Sequence, residues 1–156
     1  MEKIILTIKA IVFAMLIAAG SGAARAADKG SADEAIALVK KAVAYIKANG
    51  QEKAFAEFSN PHGQFKDRDM YINVTSMNGV NLAHGMNPKL IGKNMLELRD
   101  ADGKYFIKAF IETGNSKGKG WVDYQWPNPV TKAVEAKSTY VEKVDEVLVG
   151  CGIYKN

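Results

Sequence analysis

The last third of the chain carries the pattern that constrains the fold most. Three stretches of strand-type sequence follow one another there, at residues 121–126, 134–144 and 147–154. Pro127-Asn128-Pro129 breaks the chain between the first two. Consecutive strands with such short connections form a meander, so we expect antiparallel pairing and not a βαβ fold.

The sequence of the final strand predicts that one of its faces lacks side chains in the middle. By alternation, Val149 and Cys151 lie on one side of the strand, and Gly150 and Gly152 lie on the other. Two glycines remove side chains from the middle of that face. We therefore expect something bulky to approach there, either a packed helix or a ligand.

Helical periodicity precedes the sheet. Ser31 followed by Glu34 has the spacing of a capping box, and apolar residues then recur at helical intervals as far as Asn49-Gly50. A second short helix is predicted at 51–58, a hairpin at 70–84 with its turn at 77–79, and a third helix between Tyr105 and Gly114. The Gly- and Lys-rich residues 114–120 suggest a mobile loop. The fold class is therefore α+β with a single antiparallel sheet.

The first 26 residues have the order of a secretory signal peptide. Lys3 and Lys9 precede an apolar run at 10–19, and Ala24-Arg25-Ala26 follows as a cleavage motif. The run is about half of the ~20 residues that span a bilayer, so we favour cleavage after Ala26 over an uncleaved anchor. Residues 27–156 then form one domain in the periplasm. Removal of three basic residues and one acidic residue lowers the formal charge from +4 to +2.

The composition excludes several classes of function. Cys151 is the only cysteine, so the chain has no internal disulfide framework and no multi-cysteine metal site. The basic residues are scattered, which argues against nucleic-acid binding. The sequence contains no nucleophile–base motif of the kind that indicates an enzyme, and it contains no cofactor motif. A metal- or haem-binding carrier or enzyme that uses His84 or His62 stays open as the alternative.

Five motifs occur in order along the chain: "YINVTSMNGVNLAHGMNPKLIGKN", "LRDADGKYFI", "GKGWVDYQWPNP", "EAKSTYVEKV" and "VLVGCGIY". Together they resemble the single Cache domain, type 2, a family of PAS-like extracytoplasmic sensor modules. The resemblance covers residues 32–154. It implies a long N-terminal helix packed on a curved antiparallel sheet of about five strands, with a pocket that commonly takes short organic acids.

The resemblance also implies a role in signalling. Most domains of this family sit between two membrane helices of chemoreceptors, histidine kinases or cyclases. This sequence has no second apolar segment and resembles the free-standing, secreted form. We therefore expect a periplasmic sensor for chemotaxis or signal transduction that holds a small organic acid and acts through a separate membrane chemoreceptor or histidine kinase. A third interpretation is a purely interacting subunit that docks on a membrane kinase or chemoreceptor. It predicts an exposed apolar face on the N-terminal helix, through which two copies could also form a homodimer.

The family-like motifs contain six candidate ligand-binding residues. A carboxylate needs a cation or several N–H and O–H donors, with apolar walls for its tail. Lys137 would supply the charge, three tyrosines and a histidine the donors, and a tryptophan a wall; these residues are Tyr71, His84, Tyr124, Trp126 and Tyr140. The tyrosines and the tryptophan could instead be core or edge packing, His84 a structural histidine, and Lys137 a lysine that points at water. Strict alternation puts Lys137 and Tyr140 on opposite faces, so both reach one pocket only with a bulge or a strong twist.

Overall fold

The computed structural model describes residues 29–155. The predicted signal peptide and its cleavage site lie outside these residues. Within 29–155, no helix has both the length and the apolar character needed to cross a membrane.

The first helix, α1 (Ala32–Asn49), begins at the predicted capping box. The Ser31 hydroxyl accepts from the Glu34 N–H at 3.3 Å, and the Glu34 carboxylate accepts from the Ser31 N–H at 2.8 Å. Its exposed positions are mainly alanines and lysines, such as Ala37, Lys40 and Ala44. Dimerisation through α1 stays a prediction. The exposed face of α1 has few large apolar side chains that a second copy could cover.

Two further α-helices follow α1 within residues 29–155. Helix α2 (Gln51–Phe58) follows α1 directly. Helix α3 (Phe106–Lys117) continues past Gly114, where we expected it to end. Gly114 is tolerated because the helix packs tightly there: a Cβ on it would lie 2.4 Å from Leu148 Cδ2. The strand that follows begins at Lys119, so the expected loop at 114–120 is mostly regular structure.

Six antiparallel strands form the sheet. They are β1 (Lys66–Asp67), β2 (Met70–Ser76), β3 (Asn81–His84), β4 (Lys119–Pro127), β5 (Val134–Val144) and β6 (Val147–Tyr154). The order is β1-β2-β6-β5-β4, and β3 also pairs with β2. The sequence predicted about five strands; β1 has only two residues, too few to show a period. A single 3₁₀ turn, Pro88–Leu90, follows β3.

The two faces of the sheet have different cores. One face, which includes Ile72 and Cys151, packs against α1 and α2. The other face packs against α3 through Phe106, Ile107 and Phe110. Alternation along β2 puts Tyr71, Asn73 and Thr75 on this second face. Polar side chains of several strands therefore meet beneath α3.

Candidate ligand-binding site

Lys137 reaches across the sheet instead of pointing into solvent. It leaves β5, passes over β6 and ends at β2, where its ammonium donates to the Tyr71 hydroxyl at 2.8 Å. It also donates to the Tyr154 hydroxyl at 3.2 Å, and this hydroxyl donates to the Pro127 carbonyl at 2.7 Å. The residue is 1% exposed. A lysine on a strand usually faces water, so this placement is exceptional.

The glycines of β6 make the crossing possible. A Cβ on Gly152 would lie 2.2 Å from Lys137 Cε, and a Cβ on Gly150 would lie 2.9 Å from Asn73 Oδ1. We expected a helix or a ligand over these glycines, and that expectation was wrong. The gap in the face is filled by the protein's own Lys137 and Asn73 side chains.

The Lys137 ammonium has no carboxylate beside it. It takes part in none of the ion pairs found among residues 29–155. The buried Asp69 raises its pKa only from a longer distance, and Asp69 Oδ1 accepts from the Gly30 N–H at 2.7 Å. Burial lowers the pKa of Lys137 to about 7. The ammonium is therefore charged below neutral pH without a close counterion.

His84 is neutral and has a defined tautomer. Its buried ring lies 4.9 Å from the Tyr71 ring, centroid to centroid. Burial and the nearby charge of Lys137 lower its pKa to about 3. Nδ1 accepts from the backbone N–H groups of Met86 and Asn87 at 3.2 and 2.9 Å, so the proton of the neutral ring is on Nε2.

An open space, which we call the outer cavity, lies between the end of β3 and the β4–β5 connection. Its volume is about 290 Å³. It is lined by Tyr71, His84, Met86, Asn87, Trp126, Pro127, Asn128, Pro129 and Lys132. The lining combines aromatic walls with hydroxyl, imidazole and amide groups, which suits a small ligand with one polar end.

A smaller space, which we call the inner chamber, lies under α3. Its volume is about 20 Å³. It is lined by Tyr71, Asn73, Thr75, Asn81, His84, Met95, Phe106, Ile107, Phe110, Tyr124 and Trp126. Tyr71, His84 and Trp126 line both spaces, so the outer cavity and the inner chamber adjoin at these three side chains. Tyr124 stacks on Phe106 at 4.6 Å and its hydroxyl lies 3.0 Å from Thr139 Oγ1.

A bulge shapes the chamber. Asn73 pairs with His84 and Val74 with Ala83, but Thr75 then pairs with Asn81, so the register shifts between Val74 and Thr75. Asn81 and His84 are three positions apart and would face opposite sides of a regular strand. The bulge puts both on the side of Tyr71 and Thr75.

Comparison with known proteins identifies the family. The family model of the single Cache domain 2 matches residues 13–156. The chain belongs to this family. The match begins inside the segment that the sequence analysis assigns to a signal peptide.

Relatives of this Cache domain include chemotaxis receptors. The methyl-accepting chemotaxis protein McpP of Pseudomonas putida is 28% identical over 90 residues, which cover 56% of this chain and 16% of the receptor. The chain thus spans a small part of that receptor's length. A methyl-accepting chemotaxis protein from Vibrio parahaemolyticus matches with a TM-score of 0.67 and 28% identity, over 78% of this chain and 86% of that one.

A third structure shows the same fold. It is titled as the structural basis for carboxylic acid recognition by a Cache chemosensory domain, and it matches with a TM-score of 0.68 and 24% identity, over 86% of this chain and 97% of that one. The expected PAS-like Cache fold, with its N-terminal helix on an antiparallel sheet, is confirmed.

The Cache fold brings together five of the six candidate residues. Tyr71, His84 and Trp126 line both spaces, and Tyr124 lines the inner chamber. Lys137 lines neither space but donates a hydrogen bond to the Tyr71 hydroxyl. Tyr140 lies apart from them. The register of β5 with β6 runs without a shift, so Tyr140 faces α1, where its hydroxyl donates to Glu142 at 3.2 Å and its ring lies 5.5 Å from Trp121.

Several residues that line the two spaces lie outside the six candidates. Asn73 and Thr75 alternate with Ile72 and Val74 in β2, and this pattern of polar and apolar residues is a signal that could have found them. Asn81 had no such signal because it depends on the bulge. Among residues 29–155, no three His, Cys, Asp or Glu side chains are grouped to hold a metal ion, and His62 is exposed in the loop after α2.

Proposed function

We propose that this protein is a periplasmic sensor module that binds a short organic acid without chemical conversion. The acid anion lies against Tyr71, His84 and Trp126. The Lys137 ammonium supplies the opposite charge, and the Tyr71 hydroxyl lies between the ammonium and the anion. Membership of the Cache family supports a sensor role.

The buried Lys137 ammonium is the observation that carries the proposal. Buried charges in proteins are normally paired, since an isolated ion costs several kcal/mol to remove from water. Lys137 has only hydroxyl partners within the described residues 29–155. A small anion beside Tyr71 supplies the missing negative charge.

The donors around Tyr71 suit a carboxylate. Tyr71 accepts from Lys137, and its own O–H faces the Tyr154 hydroxyl. A hydroxyl hydrogen rotates, so this O–H turns from Tyr154 to a ligand oxygen when an acid binds. His84 presents Nε2–H, because Nδ1 is occupied by backbone N–H groups. The cavity volume of about 290 Å³ is at the lower end of the range for drug-sized ligands, roughly 300–1,000 Å³. A related Cache fold recognises carboxylic acids, which supports this ligand class.

A panel of acids tests the proposal. Formate, acetate, propionate, lactate and pyruvate are titrated calorimetrically at neutral pH. We expect binding by the wild type, loss of about tenfold or more in affinity for Tyr71→Phe, and no change for Tyr140→Phe. The second variant is a matched control, because it removes the same hydroxyl from the opposite face of the sheet. A folded protein that binds none of the acids contradicts the proposal.

Export and partner choice belong to the same proposal. We propose that residues 1–26 direct export, that cleavage follows Ala26, and that the module signals through a membrane chemoreceptor or histidine kinase. The chemotaxis receptors among its relatives support this role. Mass spectrometry of the periplasmic protein is expected to show Ala27 as the first residue. Retention of residues 1–26 in the membrane fraction would contradict cleavage.

A further inference from the structure

The inner chamber contains two buried polar atoms that have no hydrogen-bond partner among residues 29–155. They are Thr75 Oγ1 and Asn81 Oδ1, on residues that are 1% and 2% exposed. Buried polar groups nearly always have partners, and a native structure that leaves them unmatched calls for an explanation. The proposed carboxylate site uses neither atom.

The bulge sets these two groups opposite each other. Thr75 and Asn81 are cross-strand partners in β2 and β3, so their Cβ atoms are about 5 Å apart on one face. Phe106, Ile107 and Phe110 of α3 close the chamber from the other side. A polar pair under an apolar roof is a place for one small polar group, and about 20 Å³ admits a single water-sized group.

We propose that the inner chamber is a subsite for the hydroxyl group of a 2-hydroxy acid. The inference rests on the proposed function, since the carboxylate of the same ligand lies against Tyr71 and His84 where the outer cavity adjoins the inner chamber. Both residues line the cavity and the chamber, so one short molecule contacts both spaces.

Hydrogen-bond chemistry selects the hydroxyl among small substituents. A hydroxyl donates to Asn81 Oδ1 and accepts from the Thr75 hydroxyl at the same time. A keto oxygen only accepts, which leaves Asn81 Oδ1 unmatched, and a methyl group matches neither atom. An ammonium could donate to both, but it would be repelled by the Lys137 ammonium behind Tyr71. The expected order is therefore 2-hydroxy acid, then 2-oxo acid, then the unsubstituted acid.

Two pairs of acids test the subsite by calorimetric titration. Lactate is compared with propionate, and glycolate with acetate, in the wild type and in Thr75→Val. We expect the wild type to bind each hydroxy acid about tenfold or more tightly than its partner. In Thr75→Val, which keeps the shape and removes the hydroxyl, the ratio falls towards one. Thr113→Val is the matched control, because Thr113 lies outside both spaces, on α3.

The outcomes separate the subsite from the site itself. If lactate and propionate bind equally well to the wild type, the chamber holds a buried water only and the inference is overturned. If the ratio in Thr75→Val equals that of the wild type, it is overturned as well. If the folded wild type binds none of the four acids, the proposed function fails first. Asn81→Leu provides a second test of the ratio if Thr75→Val does not fold.

Discussion

Lys137 carries the buried charge on which the proposed site depends. It is nearly fully buried, it bonds to two tyrosine hydroxyls, and it lies over both of their rings at 4.2 and 4.7 Å from the centroids. These contacts compensate for only part of the solvation that an ammonium loses on burial. The residue is thus suited to receive an anion rather than to stabilise the unliganded fold.

Replacing Lys137 with methionine separates binding from stability. Methionine keeps much of the side-chain volume and removes the buried charge, so we expect Lys137→Met to unfold with a free energy equal to or about 1–3 kcal/mol above that of the wild type. We expect no binding of acid anions. Urea unfolding and calorimetric titration measure the two effects. A marked loss of stability in Lys137→Met would contradict this account of the charge.

The affinity for acid anions should depend on pH through the same residue. Burial holds the pKa of the unliganded Lys137 at about 7, and a bound anion favours the charged form and raises that pKa. Affinity is therefore nearly constant below about pH 6, starts to fall near pH 7, and falls by up to tenfold for each pH unit above it, with proton uptake on binding. Titration at pH 6 to 9 in buffers of different ionisation enthalpy measures both. An affinity that does not change between pH 6 and 9 would contradict the role of Lys137.

At the scale of elements, the glycines of β6 leave space above this strand for side chains of the two neighbouring strands. Gly150 and Gly152 leave room for side chains from β2 and β5, so three strands contribute to one cluster. Helix α3 then closes this face, while α1 and α2 cover the other. The site exists because the middle strand of the three carries no side chains there.

A side chain at Gly152 should lower both the stability of the domain and the affinity of the proposed site. In Gly152→Ala the new Cβ would clash with Lys137 Cε at 2.2 Å and with Thr139 Oγ1 at 2.5 Å. We expect a loss of about 1–3 kcal/mol in the free energy of unfolding. In a double-mutant cycle with Lys137→Ala, we expect a coupling of about 1 kcal/mol, because the shortened side chain relieves one clash.

Gly150→Ala is the control for this cycle. Its Cβ would meet Asn73 and Thr139 and not Lys137, so we expect its effect to add to that of Lys137→Ala within about 0.5 kcal/mol. Equal coupling at both glycines would show that Lys137 does not cross the sheet at Gly152.

At the scale of the whole molecule, the sheet separates an apolar core on one face from the proposed ligand-binding site on the other. The α1 and α2 side has a continuous apolar core that includes Val39, Phe58 and Val149. The α3 side mixes aromatic packing with buried polar groups, two of them unmatched. Ligand binding adds its contacts to the less satisfied side, so it should stabilise the whole domain.

A bound acid is therefore expected to raise the melting temperature. At a ligand concentration of 100 times Kd, binding adds about 2.7 kcal/mol to the free energy of unfolding. For a domain of this size that corresponds to roughly 5–10 °C. Thermal unfolding monitored by circular dichroism measures the shift. At the same ligand concentration, Tyr71→Phe should lose about half of the shift or more, and Tyr140→Phe should keep it. An equal shift in both variants would contradict a ligand site at Tyr71.

The sequence by itself determined the elements and most of the candidate residues. The capping box, the helical period and the alternation in β6 depend on neighbours along the chain, so local patterns predicted them. Tyr71, His84, Tyr124, Trp126 and Lys137 stood out because of the family-like motifs that contain them. The resemblance implied a pocket on the sheet for them, but nothing in the sequence placed α3 over that pocket.

Only the tertiary structure decided where the side chains point. Lys137 bonds to Tyr71, 66 residues away, and its path across β6 depends on strands from three parts of the chain. The bulge that turns Asn81 toward Thr75 depends on the pairing of β2 with β3. Local periodicity describes one strand at a time, whereas a buried cation and a chamber are made by several strands and a helix at once.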